Sequence, residues 1–179
     1  KLLPCRCLQD KVEQRRQALK TPTAAAMTFE TFHPKTPSQQ EALQAAFDMA
    51  KGQADFCLLL LWGAPGTGKT HLATAAIEWV LREAYESGRQ IKAVRYYVPA
   101  LLDYWQASQE NGPQGFEEAY TPVVALDVQA LDDLGAEKPT AWRLEKLSRL
   151  LNDRWETMRR TIVTSNLPSS TWIAGLGDN

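Results

Sequence analysis

Cysteine is scarce in this chain: three residues, Cys5, Cys7 and Cys57, with two of them in one CxC. An odd count at that spacing argues against a disulfide framework and makes a cytoplasmic setting the default. Long apolar runs are missing too. The longest, Phe56 to Trp62, falls far short of the ~20 residues that a membrane-spanning helix needs, and nothing reads as a signal peptide. Net charge is nearly absent, at −1 over 179 residues, so overall charge points to no polyanionic partner. There is no internal repeat and no low-complexity tract. An initiating Met is lacking as well, and the chain, starting at Lys1, reads as a fragment.

What is present suits one globular domain plus an extra segment: 44% hydrophobic and 23% charged residues. Charge is unevenly spread. Residues 1–40 carry a net +4, whereas residues 91–140 carry a net −5. Residues 1–20 are basic and polar, with a helix expected from Leu8 to Leu19. Residues 21–38 hold Pro22, Pro34 and Pro37 and read as a linker or strap. The remainder, 39–179, reads as the folded core.

Within the core, Ser38 reads as an N-cap with Glu41 completing a capping box, and Gly52 ends that helix. Phe56–Trp62 reads as a strand buried on both faces. Lys69 to about Glu86 has helical spacing, with Leu72, Ala76, Trp79 and Val80 on one face and Gly88 as its stop. Ile91–Val98 reads as a second strand, followed by a helix from Ala100 to Gln109 that Pro99 opens. Asn111–Gly115 (NGPQG) reads as a turn. A third strand lies within Val123–Leu134, with Asp127 a candidate start and the earlier valines in a turn or helix. Leu144, Leu147, Leu151 and Trp155 line one face of the next helix, and Thr161–Ser165 is a fourth strand. Strands alternating with helices imply an α/β domain with a parallel sheet and helices on both sides.

Gly63-Ala64-Pro65-Gly66-Thr67-Gly68-Lys69-Thr70 matches GxxxxGK[ST] in full. Glycines let consecutive backbone N–H groups curl around phosphate oxygens, and the following helix offers its positive end to the same anion. Lys69 can reach the outer phosphates, and the Thr70 hydroxyl can ligate Mg²⁺. His71 follows and reads as a packing or hydrogen-bonding residue rather than a chemical one. Asp132 and Asp133 end a buried strand expected beside the strand that precedes the loop. In an alternating strand one carboxylate faces the metal and its neighbour points to the opposite side, toward the attacking water. Asn166, at the end of the fourth strand, either contacts the γ-phosphate or caps the turn before Pro168, and local sequence favours the cap.

GAPGTGKTHLA, LDDLGAE (131–137) and TIVTSNLP (161–168), in that order and spacing, resemble the AAA+ ATPases of the bacterial replicative helicase loader type (DnaC/DnaI), to which the IstB-type transposition helpers are related. The resemblance covers about residues 28–170. It implies a three-layer P-loop NTPase with a parallel central sheet, binding ATP or ADP with Mg²⁺. Hydrolysis would be slow and dependent on a neighbouring subunit, with a non-catalytic ATP-dependent switch or adaptor as the alternative. The partners it implies are the replicative helicase, single-stranded DNA and further copies of the chain, as in a primosome. Residues Gly63 to Thr70, and His71 after them, would hold the nucleotide. Thr70 and Asp132 would serve the metal, and Lys69, Asp133 and Asn166 would be catalytic. Asn166 becomes the sensor 1 residue, reversing the local reading, and Asp133 stands where many AAA+ proteins have Glu. Helix Ala100–Gln109 matches an insertion associated with single-stranded DNA. It lacks Lys and Arg, so DNA binding is expected to be weak. Tyr104 and Trp105 either stack on bases or join the core. The FETF strap, Phe29 to Phe32, would lie near the base pocket.

The family's arginine finger and C-terminal lid would follow Asn179. Arg159 and Arg160 read instead as facing solvent or a neighbouring subunit. Cys5 and Cys7 match the end of a Zn²⁺ module seen upstream in some relatives. Two cysteines do not close a four-ligand site, so they are either half of that module or free thiols. Cys57 reads as core packing.

Overall fold

A computed structural model of the chain describes residues 26–136 and 140–168. The expected helix at Leu8–Leu19, Cys5, Cys7 and the residues after Pro168 lie outside the described residues. Among the described residues, nine regular elements follow the strap: α1 (Pro37–Lys51), β1 (Leu58–Trp62), α2 (Lys69–Glu86), β2 (Ala93–Tyr97), α3 (Val98–Gln109), α4 (Gly112–Val124), β3 (Val128–Leu134), α5 (Ala141–Glu156) and β4 (Arg160–Ser165). The four strands form one parallel sheet in the order β1-β4-β3-β2.

The sheet is covered on both faces. Alternation along each strand sends Ala130 and Ile162 to one side and Leu131 and Val163 to the other. The first side packs on α1 and α2 through Met49, Leu72, Ala76 and Val80. The second packs on α3, α4 and α5 through Leu102, Trp105, Tyr120 and Leu150. Among the described residues, no helix is long and apolar enough to cross a membrane.

Several elements depart from the sequence reading. The first helix is capped by Thr36, not Ser38: its Oγ1 accepts from Gln39 N at 3.3 Å, and Pro37 occupies the first turn. A proline suits that turn because the N–H it lacks would be unpaired there anyway. Gly52 closes the helix as expected, in a left-handed conformation with φ 72°. β1 is not buried on both faces. It borders the described sheet, with Leu61 buried while Leu58 and Trp62 are 38% and 57% exposed. Nor does β3 lie beside β1, because β4 runs between them.

NGPQG is not a free turn. Gly112 and Pro113 open α4, which carries Pro122 within it and lays Phe116 and Tyr120 against Trp105. That contact settles the aromatic pair of α3: Trp105 is fully buried and Tyr104 is exposed. The valines at 123 and 124 belong to this helix, and β3 starts at Val128. On α5, Trp155 is 62% exposed, and the fourth position of the buried face goes to Arg154.

Arg154 is an unusual core residue, 1% exposed. Its guanidinium donates to Thr161 Oγ1, Leu126 O and Arg160 O, each at 2.7 Å, and to Val124 O at 3.0 Å. Burial lowers its pKa to about 10, which leaves it charged at neutral pH. It ties the end of α4 and the entry to β3 onto the start of β4. Arg159 and Arg160 are half-buried, and each also donates to backbone carbonyls. Arg159 Nη1 donates to Ala125 O at 2.5 Å, and Arg160 Nη1 donates to Met49 O and Ala50 O at the end of α1.

Candidate functional site

The loop between β1 and α2 sits at the carboxyl edge of the sheet, where open α/β sheets take ligands. Gly63, Gly66 and Gly68 all have positive φ, at 146°, 80° and 94°. Such a backbone curls tightly and is costly for any residue with a Cβ. The loop is tied at several points. Gly63 N donates to Ser165 O on β4, Thr67 Oγ1 donates to Ala64 O, and Gln39 Nε2 of α1 donates to Thr67 O. Lys69 Nζ reaches across the loop to Gly63 O and Ala64 O, at 2.8 and 2.9 Å. Two of its three protons are thereby used, and one remains for an anion. Desolvation lowers the pKa of Lys69 from its usual value, while the charges of Asp133 and Asp132 oppose that shift.

The acidic pair is brought to the loop by a bulge. Leu131 pairs with Val163 and Leu134 with Ser165, so Asp132 and Asp133 together oppose Thr164 alone. Asp133 absorbs the extra residue with φ 65°. The expected simple alternation to opposite sides of the strand is thus replaced by a kink. Positive φ favours short polar Asp or Asn over longer side chains, which gives a backbone reason for Asp rather than Glu here. Thr164 organises the bulge. Its Oγ1 accepts from Asp133 N at 2.8 Å and donates to Asp132 Oδ1 at 2.7 Å.

Asp132 is almost fully buried, and Thr70 Oγ1 also donates to its Oδ1, at 3.0 Å. Asp133 Oδ1 accepts from Asn166 Nδ2 at 2.8 Å. Thr70, Asp132, Asp133 and Asn166, drawn from α2, β3 and the end of β4, are therefore linked through Thr164, and the Lys69 charge lies near both carboxylates. Asn166 does not act as a simple turn cap; Leu167 N donates to Ser165 Oγ instead.

The arrangement suits a hard cation at a nucleotide phosphate. Thr70 gives its proton to Asp132, which leaves the oxygen's lone pairs available. No cluster of three or more His, Cys, Asp or Glu residues able to hold a metal occurs among the described residues.

Sequence reasoning missed Arg95. From β2, its Nη1 forms an ion pair with Asp132 Oδ2 at 2.6 Å. In sequence it stands 37 residues from Asp132, inside a short β-rich run that carries no motif.

Beside the loop lies a cavity of about 380 Å³, bordered by Phe32, Thr36, Gln39, Leu61, Trp62 and Lys69. The strap thus reaches the site. His71 holds it through a hydrogen bond between Nε2 and Thr28 O at 2.8 Å, and its ring meets Phe32 edge-on. Phe32 also packs over the loop: a Cβ added at Gly68 would fall 2.4 Å from its ring. Gly68→Ala is therefore expected to displace the strap and to cost ~1–3 kcal/mol from overpacking and backbone strain. Thermal unfolding with and without ATP measures both the loss of stability and the weakened ligand protection.

This geometry agrees with what the chain is similar to. The sequence profile of IstB-like ATP binding proteins matches residues 10–179. A Pseudomonas fluorescens protein of insertion sequence IS1162, named for ATP binding, is 33% identical over 117 residues, covering 65% of this chain and 47% of that protein. The replicative helicase loader DnaI of Bacillus subtilis is 29% identical over 143 residues, covering 78% of this chain and 43% of that protein. The chain thus spans about half the length of these curated relatives. The crystal structure of the DnaC helicase loader superposes with a TM-score of 0.72 at 26% identity, covering 88% of this chain and 90% of that one. The fold is that of AAA+ P-loop domains, and the chain belongs to the family of IstB-like ATP-binding proteins.

Proposed function

We propose that this protein binds ATP·Mg²⁺ between the phosphate loop and the Asp132–Asp133 bulge and hydrolyses it slowly to drive assembly of a DNA-replication complex in the cytoplasm. The observation that carries the reading is the hydrogen-bonded chain Thr70–Asp132–Thr164–Asp133–Asn166, with the Lys69 charge beside both carboxylates. Backbone N–H groups and Lys69 would hold the phosphates, and the cavity under Phe32 would take the base. Thr70 and Asp132 would hold Mg²⁺, which supplies charge neutralisation on the phosphates when bound. Asp133, positioned by Asn166, would orient and deprotonate the attacking water.

Asp133→Asn tests the catalytic half of this reading. Asn tolerates the positive φ, so the bulge should persist. Turnover is expected to fall by a factor of about 10²–10⁴ with ATP binding kept, as in removal of a general base. Steady-state phosphate release and a binding titration measure the two quantities. Equal turnover in the variant and the parent would leave Asp133 without a chemical role. A neighbouring subunit's arginine commonly contributes to phosphoryl transfer, so turnover should rise with protein concentration.

For the work that ATP drives, similarity to the DnaI and DnaC loaders supports delivery of a ring-shaped replicative helicase to single-stranded DNA by self-associated copies of the protein. DNA contact would be weak, because Tyr104 is exposed on α3 while that helix carries no basic residue. A second reading, an ATPase assisting transposition, is favoured by the IstB-like profile and the IS1162 relative. ATP-dependent co-purification separates the two: the loader reading requires retention of the replicative helicase, and the second requires retention of a transposase.

A further inference from the structure

Asp132 carries more donors than a free metal carboxylate would. Oδ1 accepts from Thr70 and Thr164, which fills both of its acceptor directions. Oδ2 accepts from Arg95 at 2.6 Å. That pair is largely withdrawn from water, with the Asp132 side chain 5% exposed and that of Arg95 27% exposed. Its placement follows from the sheet. Arg95 pairs in register with Ala130, two residues before Asp132, so Arg95 and Asp132 share a face of neighbouring strands. The Arg95 guanidinium is directed to Asp132, while its backbone belongs to the ladder with β3.

Resting on the nucleotide-site reading, we infer that Arg95 is a built-in counter-cation that competes with the divalent ion for Asp132 and so makes metal binding depend on nucleotide. A cation approaching Asp132 meets a carboxylate that is already neutralised, beside a fixed positive charge. It must share Oδ2 with the guanidinium or separate the pair, and like-charge repulsion opposes both in a poorly solvated site. Bare-metal affinity is therefore low. Nucleotide phosphates reverse the balance, because their negative charge attracts the metal and offers Arg95 another anion. A scaffold arginine, one that merely orients Asp132, would have the opposite effect on metal affinity.

The sign of that effect is the test. Free Mn²⁺ is measured by electron paramagnetic resonance for the full chain, Arg95→Gln and Arg95→Met, first without nucleotide and then with saturating ADP. Both uncharged variants are expected to bind Mn²⁺ about tenfold more tightly than the parent without nucleotide, the scale of one unit of charge–charge coupling. The advantage should shrink with ADP, and Arg95→Lys should match the parent. Equal or weaker Mn²⁺ binding in both uncharged variants overturns the inference and makes Arg95 a scaffold. If neither variant folds by circular dichroism, ¹⁵N NMR of the parent's Arg95 side chain decides. Mg²⁺ added to the ADP complex is expected to shift the guanidinium resonances as Arg95 leaves Asp132, and an unchanged signal overturns the inference. ADP titration of the parent in EDTA and in Mg²⁺ reports separately on the nucleotide-site reading, since the nucleotide-free Mn²⁺ arm does not depend on it.

Discussion

Lys69→Ala is expected to lower ATP affinity by at least about a hundredfold. Charge-assisted hydrogen bonds are worth ~1.5–3 kcal/mol each, and removal of the ammonium would cost one such contact to phosphate together with the phosphate's counter-charge. The structure makes this residue hard to replace. Its Nζ spans the loop between Gly63 O and Ala64 O, so the alanine variant also releases the loop's own crosslink. Desolvation lowers its pKa, the charges of Asp133 and Asp132 oppose that shift, and without the ammonium these two charges would face the phosphates uncompensated. Isothermal titration with ATP or ADP measures the loss. Affinity within a few-fold of the parent would move the phosphate site away from this loop. The contrast with Asp133→Asn is informative, because one change removes binding and the other removes turnover alone.

Arg154→Leu is expected to be the most destabilising single change in the described core, by ~3–5 kcal/mol. The side chain satisfies three backbone carbonyls and the Thr161 hydroxyl, and leucine would leave these buried acceptors without their donor. Against a typical total of ~5–15 kcal/mol, that is a large fraction of stability. Equilibrium urea unfolding reads the effect as a lower midpoint at unchanged slope. Arg154→Lys should recover little of it, because an ammonium cannot fork to acceptors on α4, on the connection before β3 and on β4 at once. A midpoint shift equivalent to less than about 1 kcal/mol in the leucine variant would mean that water replaces the arginine. The site should feel this loss, since β3 and β4 carry Asp132, Asp133 and Asn166 to the loop.

Much of this protein was legible from local pattern. The strand–loop–helix around GAPGTGKT could be read because glycine, lysine and threonine at fixed spacing have few structural alternatives. Helix α2 and strand β4 were readable from apolar periodicity, and Gly52 and Gly88 marked helix ends because a left-handed residue there strongly favours glycine. Other features were invisible for physical reasons. NGPQG has turn composition, yet Phe116 and Tyr120 find Trp105 only across a tertiary interface, and that packing draws the segment into α4. Trp155 sits at the helical spacing of a core residue, but the fourth buried position went to Arg154, whose acceptors come from α4, the connection before β3, and β4.

By itself, the sequence determined the class of chemistry. A phosphate loop, two adjacent carboxylates and a polar strand end can be written as motifs, because each depends on residues close together in the chain. Tertiary structure decided how they meet. Placing β4 between β1 and β3 sets Thr164 against the acidic pair, and the bulge turns both carboxylates to one site. Lateral pairing of β2 with β3 brings Arg95 to Asp132 across 37 residues of sequence, a charge contact that no local pattern encodes.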